Sequence, residues 1–342
     1  MVEGNAGMAA ELLEAADAVR RQNTVSEPLR ELIDRLRRRP PQLVLTCGRG
    51  SSAHAGTFAK HLIERHLGIP VAAAAPNIVT MYRQRLKLKD QLLLTISQSG
   101  RSDDLAEFSA MAKSAGATTV AIVNDVQSPL AGICDVTLPM SAGPELSIAA
   151  TKSFIAALAM LLRIAAEWAD DGSLRQAVDR LPDRLAETAE LDWSVALDAL
   201  SKAASLITLG RGPTLAIARE AALKLKETCH LHAEAFSSAE FQHGPMALVL
   251  PRYPILIFTP ADSAAAGMRE FATDLRAKGA TVFSTGHGQD APSGLSTLAP
   301  DHPDADAVCL IQTFYALIIR LAALRGTDIE RPRHLNKVTR TR

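Results

Sequence analysis

The stretch Ser97-Gln98-Ser99-Gly100-Arg101-Ser102-Asp103-Asp104 has the residue types of an anion site. An apolar run, Leu92 to Ile96, precedes it and reads as a buried strand. Leu105, Phe108, Met111 and Ala112 follow at helical spacing. Strand, hydroxyl-rich loop and helix start together can hold an anion. The first N–H groups of a helix lack partners, and the positive end of its dipole faces the loop. Ser97, Ser99 and Ser102 add hydroxyl donors, so one phosphate monoester needs no lysine there. The ordinary alternative is a capped strand-to-helix turn with Ser102 or Asp103 as N-cap.

A second group lies on a helix starting near Ala216, which carries Glu220, Lys224, Lys226 and Glu227. Lys224 and Glu227 are three apart and share a face. The commoner fate of such a stripe is an exposed, ion-paired surface. A third group follows, with His230, His232 and then Glu240-Phe241-Gln242-His243-Gly244-Pro245. The two histidines lack the i, i+4 spacing of a helical metal site, so the signal for a metal is weak. His-Gly-Pro also reads as a helix stop. Beside a bound sugar phosphate, however, a carboxylate can move a proton between adjacent carbons and a histidine can open a hemiacetal ring.

The elements that must position these groups alternate. Helical patterns over 8–38 end at Pro40-Pro41. Strands are expected at 42–46, 70–75, 92–96, 118–123 and 136–139, with helices between them, and a long apolar helix over 151–168. Strands alternating with helices predict a parallel sheet covered on both faces. Charged helices over 173–200, with Pro182 between them, read as a linker. A second set then begins, with strands at 206–209, 255–258 and 281–284 and helices over 216–229, 263–278 and 305–325. Thr-x-Gly-Arg-Gly, Gly-Ala-Thr and a phenylalanine in a long apolar helix each recur at a spacing of about 160 residues, which marks a duplicated unit. The copies differ where chemistry is expected. Ser97-Gln98-Ser99-Gly100 of the first becomes Thr259-Pro260-Ala261-Asp262 in the second, and Pro260 removes an N–H donor. The first copy is therefore expected to hold the phosphate.

Lys and Arg total 37 and Asp and Glu total 37, with few aromatics, so the chain has no footprint for nucleic acid or an anionic membrane. Cys47, Cys134, Cys229 and Cys309 are widely spaced and form no CxxC, which suits a reducing cytoplasm rather than a disulfide or zinc framework. Glu11, Glu14 and Asp17 break the apolar pattern at the start, so no signal peptide is expected. No uninterrupted apolar run approaches about 18 residues, and no membrane span is expected.

Several motifs in one order resemble the tandem sugar isomerase (SIS) domain family. Within it, the similarity is to the isomerase half of glucosamine-6-phosphate synthases and to the SIS-type glucosamine-6-phosphate deaminases. The motifs are Gly50-Ser51-Ser52-Ala53-His54-Ala55-Gly56, Ser97-Gln98-Ser99-Gly100, Gly143-Pro144-Glu145 with Ala149-Ala150-Thr151-Lys152-Ser153-Phe154, and Leu209-Gly210-Arg211-Gly212. They continue with Glu220 to Glu227, His232-Ala233-Glu234-Ala235, Glu240 to Pro245 and the tail Asp328 to Lys337. The resemblance implies an α/β fold of two SIS domains, each a parallel sheet sandwiched by helices. It covers the chain from about residue 40 onward, and with the residue patterns above the chain divides into N-terminal helices at 1–38, a first SIS domain with the phosphate loop at 39–170, and a helical linker at 171–200. A second SIS domain with the acid/base residues follows at 201–326, and a tail closing the site at 327–342.

By the same resemblance, Ser52, Ser97, Gln98, Ser99 and Ser102 contact the sugar phosphate, and Ile148 and Ala150 line the sugar. Glu227 shuttles the proton between C1 and C2 with Lys224 beside it. His243 opens the ring, reaching in from the partner subunit of a homodimer with shared sites. Lys337 closes over the open-chain sugar. The implied enzyme is a cytoplasmic deaminase without metal or redox cofactor that converts glucosamine 6-phosphate and water to fructose 6-phosphate and ammonia. Alternatives are a fructosamine-6-phosphate deglycase, another amino-sugar phosphate deaminase or isomerase, and, in a different class, a non-catalytic sugar-phosphate sensor. The sequence departs from the synthases in three respects. No glutamine-hydrolysing domain fits before Cys47, Arg49 stands where a smaller residue is usual, and Arg101 stands where an acidic one is usual.

Overall fold

The structure, a computed structural model, describes residues 6–22, 26–292 and 294–337. It falls into two compact units. One comprises Glu14–Glu145, Lys152–Asp179 and the tail from Asn336. The other comprises the residues up to Leu13, Leu146–Thr151 and Arg180–Leu335.

The first unit is built on the strands β1 (Val44–Cys47), β2 (Val71–Ala73), β3 (Leu92–Ser97), β4 (Thr118–Val123) and β5 (Val136–Pro139), all parallel, in the order β2-β1-β3-β4-β5. β1 and β3 are buried at every position, which explains why they read as continuous apolar runs without alternation. Helix Asp103–Ser114 presses Leu105, Phe108 and Met111 against Leu45 and Leu93. Helix Lys152–Ala169 is buried on nearly all sides, so its apolar composition has no polar face to reveal.

The second unit repeats the plan with β6 (Ser205–Gly210), β7 (His232–Ser237), β8 (Pro254–Phe258), β9 (Thr281–Gly286) and β10 (Leu295–Ser296) in the order β10-β9-β8-β6-β7. Read from its other edge, this is the order of the first sheet. The repeated topology shows the duplication that the recurring motifs predict. Ile207, Leu209, Ile255 and Ile257 meet Phe241, Met268, Phe271 and Leu275 in its core.

Two expectations are corrected. Helix Gly172–Glu187 continues past Pro182, where two helices were expected to meet. β7 was not expected as a strand. It is an edge strand with exposed His232 and Glu234, so it lacks the apolar run that marks the central strands. Helix Pro303–Leu324 is long and apolar enough to cross a bilayer by length and composition, with a mean hydropathy of 2.0 over its best window, although scattered polar residues interrupt the run. It is a core helix, with 72% of that window buried.

All four cysteines are free and buried. Burial pushes the Cys47 and Cys309 thiols up to about 12, and those of Cys134 and Cys229 up to about 11. None is poised as a thiolate nucleophile.

Candidate active site

In the first unit, β1 ends on Gly48 and β3 on the serine loop. A Cβ on Gly48 would stand 2.8 Å from the Ser52 backbone, and one on Gly210, at the matching end of β6, 2.3 Å from the Thr214 carbonyl oxygen. Both strands thus need glycine so that the chain can fold tightly into the next helix. Ser52 lies in the first turn of helix Ser51–Leu67, half-buried.

Ser97 closes β3, and its Oγ accepts from Gly100 N at 3.1 Å. Ser99 Oγ accepts from Arg101 N at 3.3 Å. Each hydroxyl thereby shapes the loop as an acceptor and keeps its own O–H as a donor for a ligand. Gln98, Ser99 and Ser102 are half-buried. Ser102 is the N-cap of helix Asp103–Ser114, and its side chain makes no capping bond, while Leu105 N in the first turn donates to Asp104 Oδ1 at 2.9 Å. The loop turns at Gly100 with φ +62°, where a Cβ would lie 2.0 Å from Ser128 Oγ. Gly100→Ala is expected to lose about 1–3 kcal/mol of stability through clash and left-handed strain, and to raise KM for a phosphorylated ligand. Urea denaturation and steady-state kinetics check both. Unchanged values would mean that the loop is not shaped by this turn.

The two unusual arginines flank this loop, each on a carboxylate. Arg49 meets Asp104 Oδ2 through Nε at 3.0 Å and Nη2 at 2.7 Å, with Asp104 buried. Arg101 Nη2 lies 2.8 Å from Asp125. The Gln127 N–H and Arg101 together hold the Asp125 carboxyl below its ordinary range. Neither arginine is an uncompensated charge for an incoming anion.

The tail lysine also belongs to the first unit. Lys337 Nζ lies 3.1 Å from Glu145 Oε2, and this carboxylate is buried and accepts from Ser153 N at 3.0 Å and Ser153 Oγ at 2.6 Å. Glu145 stands in a quoted motif, but nothing local marks it as the partner of a residue so far along the chain.

In the second unit, the stripe on helix Thr214–Cys229 is not the exposed surface that is the commoner fate. Glu220 is fully buried and Lys224 is 1% exposed. Lys224 Nζ lies 2.6 Å from Glu227 Oε2 and 3.4 Å from Glu220 Oε1. Tyr315 of helix Pro303–Leu324 donates its hydroxyl to Glu220 Oε1 at 3.2 Å. The result is a chain, Tyr315–Glu220–Lys224–Glu227, with only Glu227 reaching the surface, 21% exposed. A carboxylate at the accessible end of a buried ion chain is held in one rotamer and open to a substrate, as proton transfer requires. Sequence reasoning missed Tyr315, which sits unmarked in an apolar helix.

His243 is exposed in the turn after helix Ser238–Phe241, with its backbone N–H on Glu240 O at 3.0 Å. Among the described residues no hydrogen bond joins its ring to Glu227. Ile148 and Ala150 are half-buried in Leu146–Thr151, the segment that counts with the second unit. His230 ends helix Thr214–Cys229 in a left-handed conformation, and both His230 and His232 are exposed. Among the described residues no three His, Cys, Asp or Glu side chains gather as metal ligands would.

Comparison with known proteins places the chain. A family model described as SIS domain matches residues 41–166 and 199–291. The isomerizing glutamine–fructose-6-phosphate aminotransferase of Symbiobacterium thermophilum is 32% identical over 307 residues, covering 84% of this chain and 50% of that protein. Its Pseudomonas aeruginosa counterpart is 33% identical over 311 residues, again 50% of that protein. The chain thus spans about half the length of these curated relatives. Among solved structures, a candidate phosphosugar isomerase from Silicibacter pomeroyi DSS-3 superposes with a TM-score of 0.88 at 41% identity, covering 94% of this chain and 99% of that one. Glucosamine-6-phosphate deaminase from Thermotoga maritima shares the fold, with a TM-score of 0.75 at 22% identity over 98% of this chain and 99% of its own. Two sheets of one strand order, a hydroxyl-lined loop on the first, and a matching family model across both halves make one conclusion: the chain belongs to the SIS domain family.

Proposed function

We propose that the protein is an aldose–ketose isomerase of 6-phosphorylated amino sugars, acting on glucosamine 6-phosphate with water to give fructose 6-phosphate and ammonia. The observation that carries this reading is the buried chain Tyr315–Glu220–Lys224 ending on the accessible Glu227. A sensor that only binds its ligand has no need of it. The names of the relatives, isomerizing aminotransferases and a candidate phosphosugar isomerase, support the substrate class.

In this reading the phosphate binds the Ser97–Ser102 loop with Ser52, and supplies binding energy remote from the reacting carbons. Ile148 and Ala150 line the sugar. His243 protonates the ring oxygen as the C1 hydroxyl loses its proton, and the pyranose opens. Glu227 takes the C2 proton, leaving an enolamine, and returns it to C1. Water then hydrolyses the fructose imine, releasing ammonia. Lys337 stabilises the negative charge that develops on the substrate oxygen, and Lys224, buried behind Glu227, orients and tunes its carboxylate. The test is release of ammonia and fructose 6-phosphate from glucosamine 6-phosphate with no glutamine present, and both are expected in equal amounts. Binding without release would overturn the reading in favour of another phosphosugar, a fructosamine 6-phosphate or a sensor.

The exposed position of His243 favours action on a second copy of the chain. Glu227→Gln and His243→Ala proteins, each inactive alone, are then expected to recover up to about a quarter of wild-type activity when mixed, because a symmetric dimer with shared sites leaves one intact site in the hybrid. No recovery after demonstrated subunit exchange would place His243 in the site of its own chain.

A further inference from the structure

The serine loop of the first unit has a counterpart that none of these roles uses. In both sheets the strand order reverses, between β1 and β3 and between β6 and β8. Such a reversal opens a crevice beyond the carboxyl ends of the strands, where ligands of open α/β sheets bind. In the second unit two adjoining cavities lie there, sharing Thr259, Pro260, Ala261, Thr297 and Pro300 in their walls. The outer has a volume of about 260 Å³, far more than the roughly 30 Å³ share of a single water. The inner, about 40 Å³, reaches Arg184 and Asp306.

Two buried polar atoms on these walls, Thr259 Oγ1 and Arg184 Nε, have no hydrogen-bond partner among the described residues. A buried polar atom left so is costly, and a ligand bearing hydroxyls would recover that cost.

The walls also state what the ligand is not. Just before helix Ala265–Ala277, Asp262 Oδ1 accepts from Ala264 N at 2.9 Å, so a carboxylate already stands where an anion would approach. Pro260 contributes no N–H. The lining holds three carboxylates, Asp262, Asp290 and Asp306, against two guanidinium groups, Arg184 and Arg269, so its formal charge is net negative. A phosphate is disfavoured. Hydroxyl groups facing Thr259, Thr285 and Thr297 are favoured, and an amino group is tolerated.

We infer that this crevice is a second ligand site, for a monosaccharide without a phosphate group, neutral or cationic. It is separate from the serine loop and does not depend on the proposed reaction.

Calorimetric titration of the full chain tests it, with glucosamine and N-acetylglucosamine as probes at about 10 mM, which fills a millimolar site. At least one of them is expected to bind wild type and Ser99→Ala alike. Thr259→Val, which removes the hydroxyl at constant size, is expected to weaken binding about 3- to 10-fold. Ala261→Phe, which fills the cavity, is expected to abolish it. Inorganic phosphate should show the reverse pattern, weakened by Ser99→Ala and indifferent to Thr259→Val. Absence of binding by both sugars overturns the inference. So does sugar binding that is lost in Ser99→Ala and retained in Thr259→Val, since that would place the sugar on the serine loop. Should Ala261→Phe fail to fold, the Thr259→Val and Ser99→Ala pair decides alone.

Discussion

Glu227→Gln is expected to lower kcat by about 10²- to 10⁴-fold and to leave the Kd for fructose 6-phosphate within a factor of a few. The size of the loss is that of a positioned general base. Glutamine has the shape of glutamate and its amide oxygen can still accept from Lys224, but it cannot carry a proton between carbons. Binding is expected to be spared because the residues proposed to hold the phosphate sit on other elements, the β3 loop and the start of helix Ser51–Leu67. Folding is spared because Lys224 keeps Glu220 at 3.4 Å, so no buried charge is stranded. Solvent deuterium is the sharper readout. Wild type is expected to wash deuterium into C1 of product, and the variant is not. A variant that still turns over and still exchanges would remove Glu227 from the reaction and leave the ion chain as architecture.

Lys224→Met is expected to cost stability as well as activity, about 3–5 kcal/mol by urea denaturation, because it strands the fully buried Glu220 carboxylate. Tyr315 donates one hydrogen bond to Glu220, which does not offset a missing cation. The double variant Lys224→Met with Glu220→Gln separates the two effects. With no charge left to strand, it is expected to recover most of the lost stability, since replacing a whole buried pair is often close to neutral. Its activity is expected to stay low, since Glu227 has lost the ammonium that orients it. If the single variant matches wild type in its urea midpoint, the pair contributes nothing to stability.

These two residues show where the sequence could be read and where it could not. The serine loop was legible because its chemistry is local, with strand, hydroxyls and helix start following within a dozen residues. The Lys224–Glu227 contact was legible from helical spacing, but its burial was not, since a helix of Glu, Lys and Ala looks the same on a surface. Tyr315 and Glu145 escaped because their partners are 95 and 192 residues away and no local pattern signals a distant one. The central strands announce themselves by unbroken apolar runs. β7 does not, because a strand at the sheet's edge can keep polar residues on its open side, and two-residue β10 is too short to carry any pattern.

The contact between Lys337 and Glu145 bears on how the chain is made. A ribosome delivers the serine loop early, and Lys337 only after every strand of both sheets has been synthesised. Until then Glu145 sits with Ser153 and without this cation. Nascent domains fold as they emerge, so the first unit would acquire its ligand loop long before its lysine. On the proposed roles, a polypeptide cut short before residue 337 is expected to bind a sugar phosphate on the serine loop and to lack the Lys337 ammonium. The first unit thus carries an ion pair that can form only after both sheets have been made.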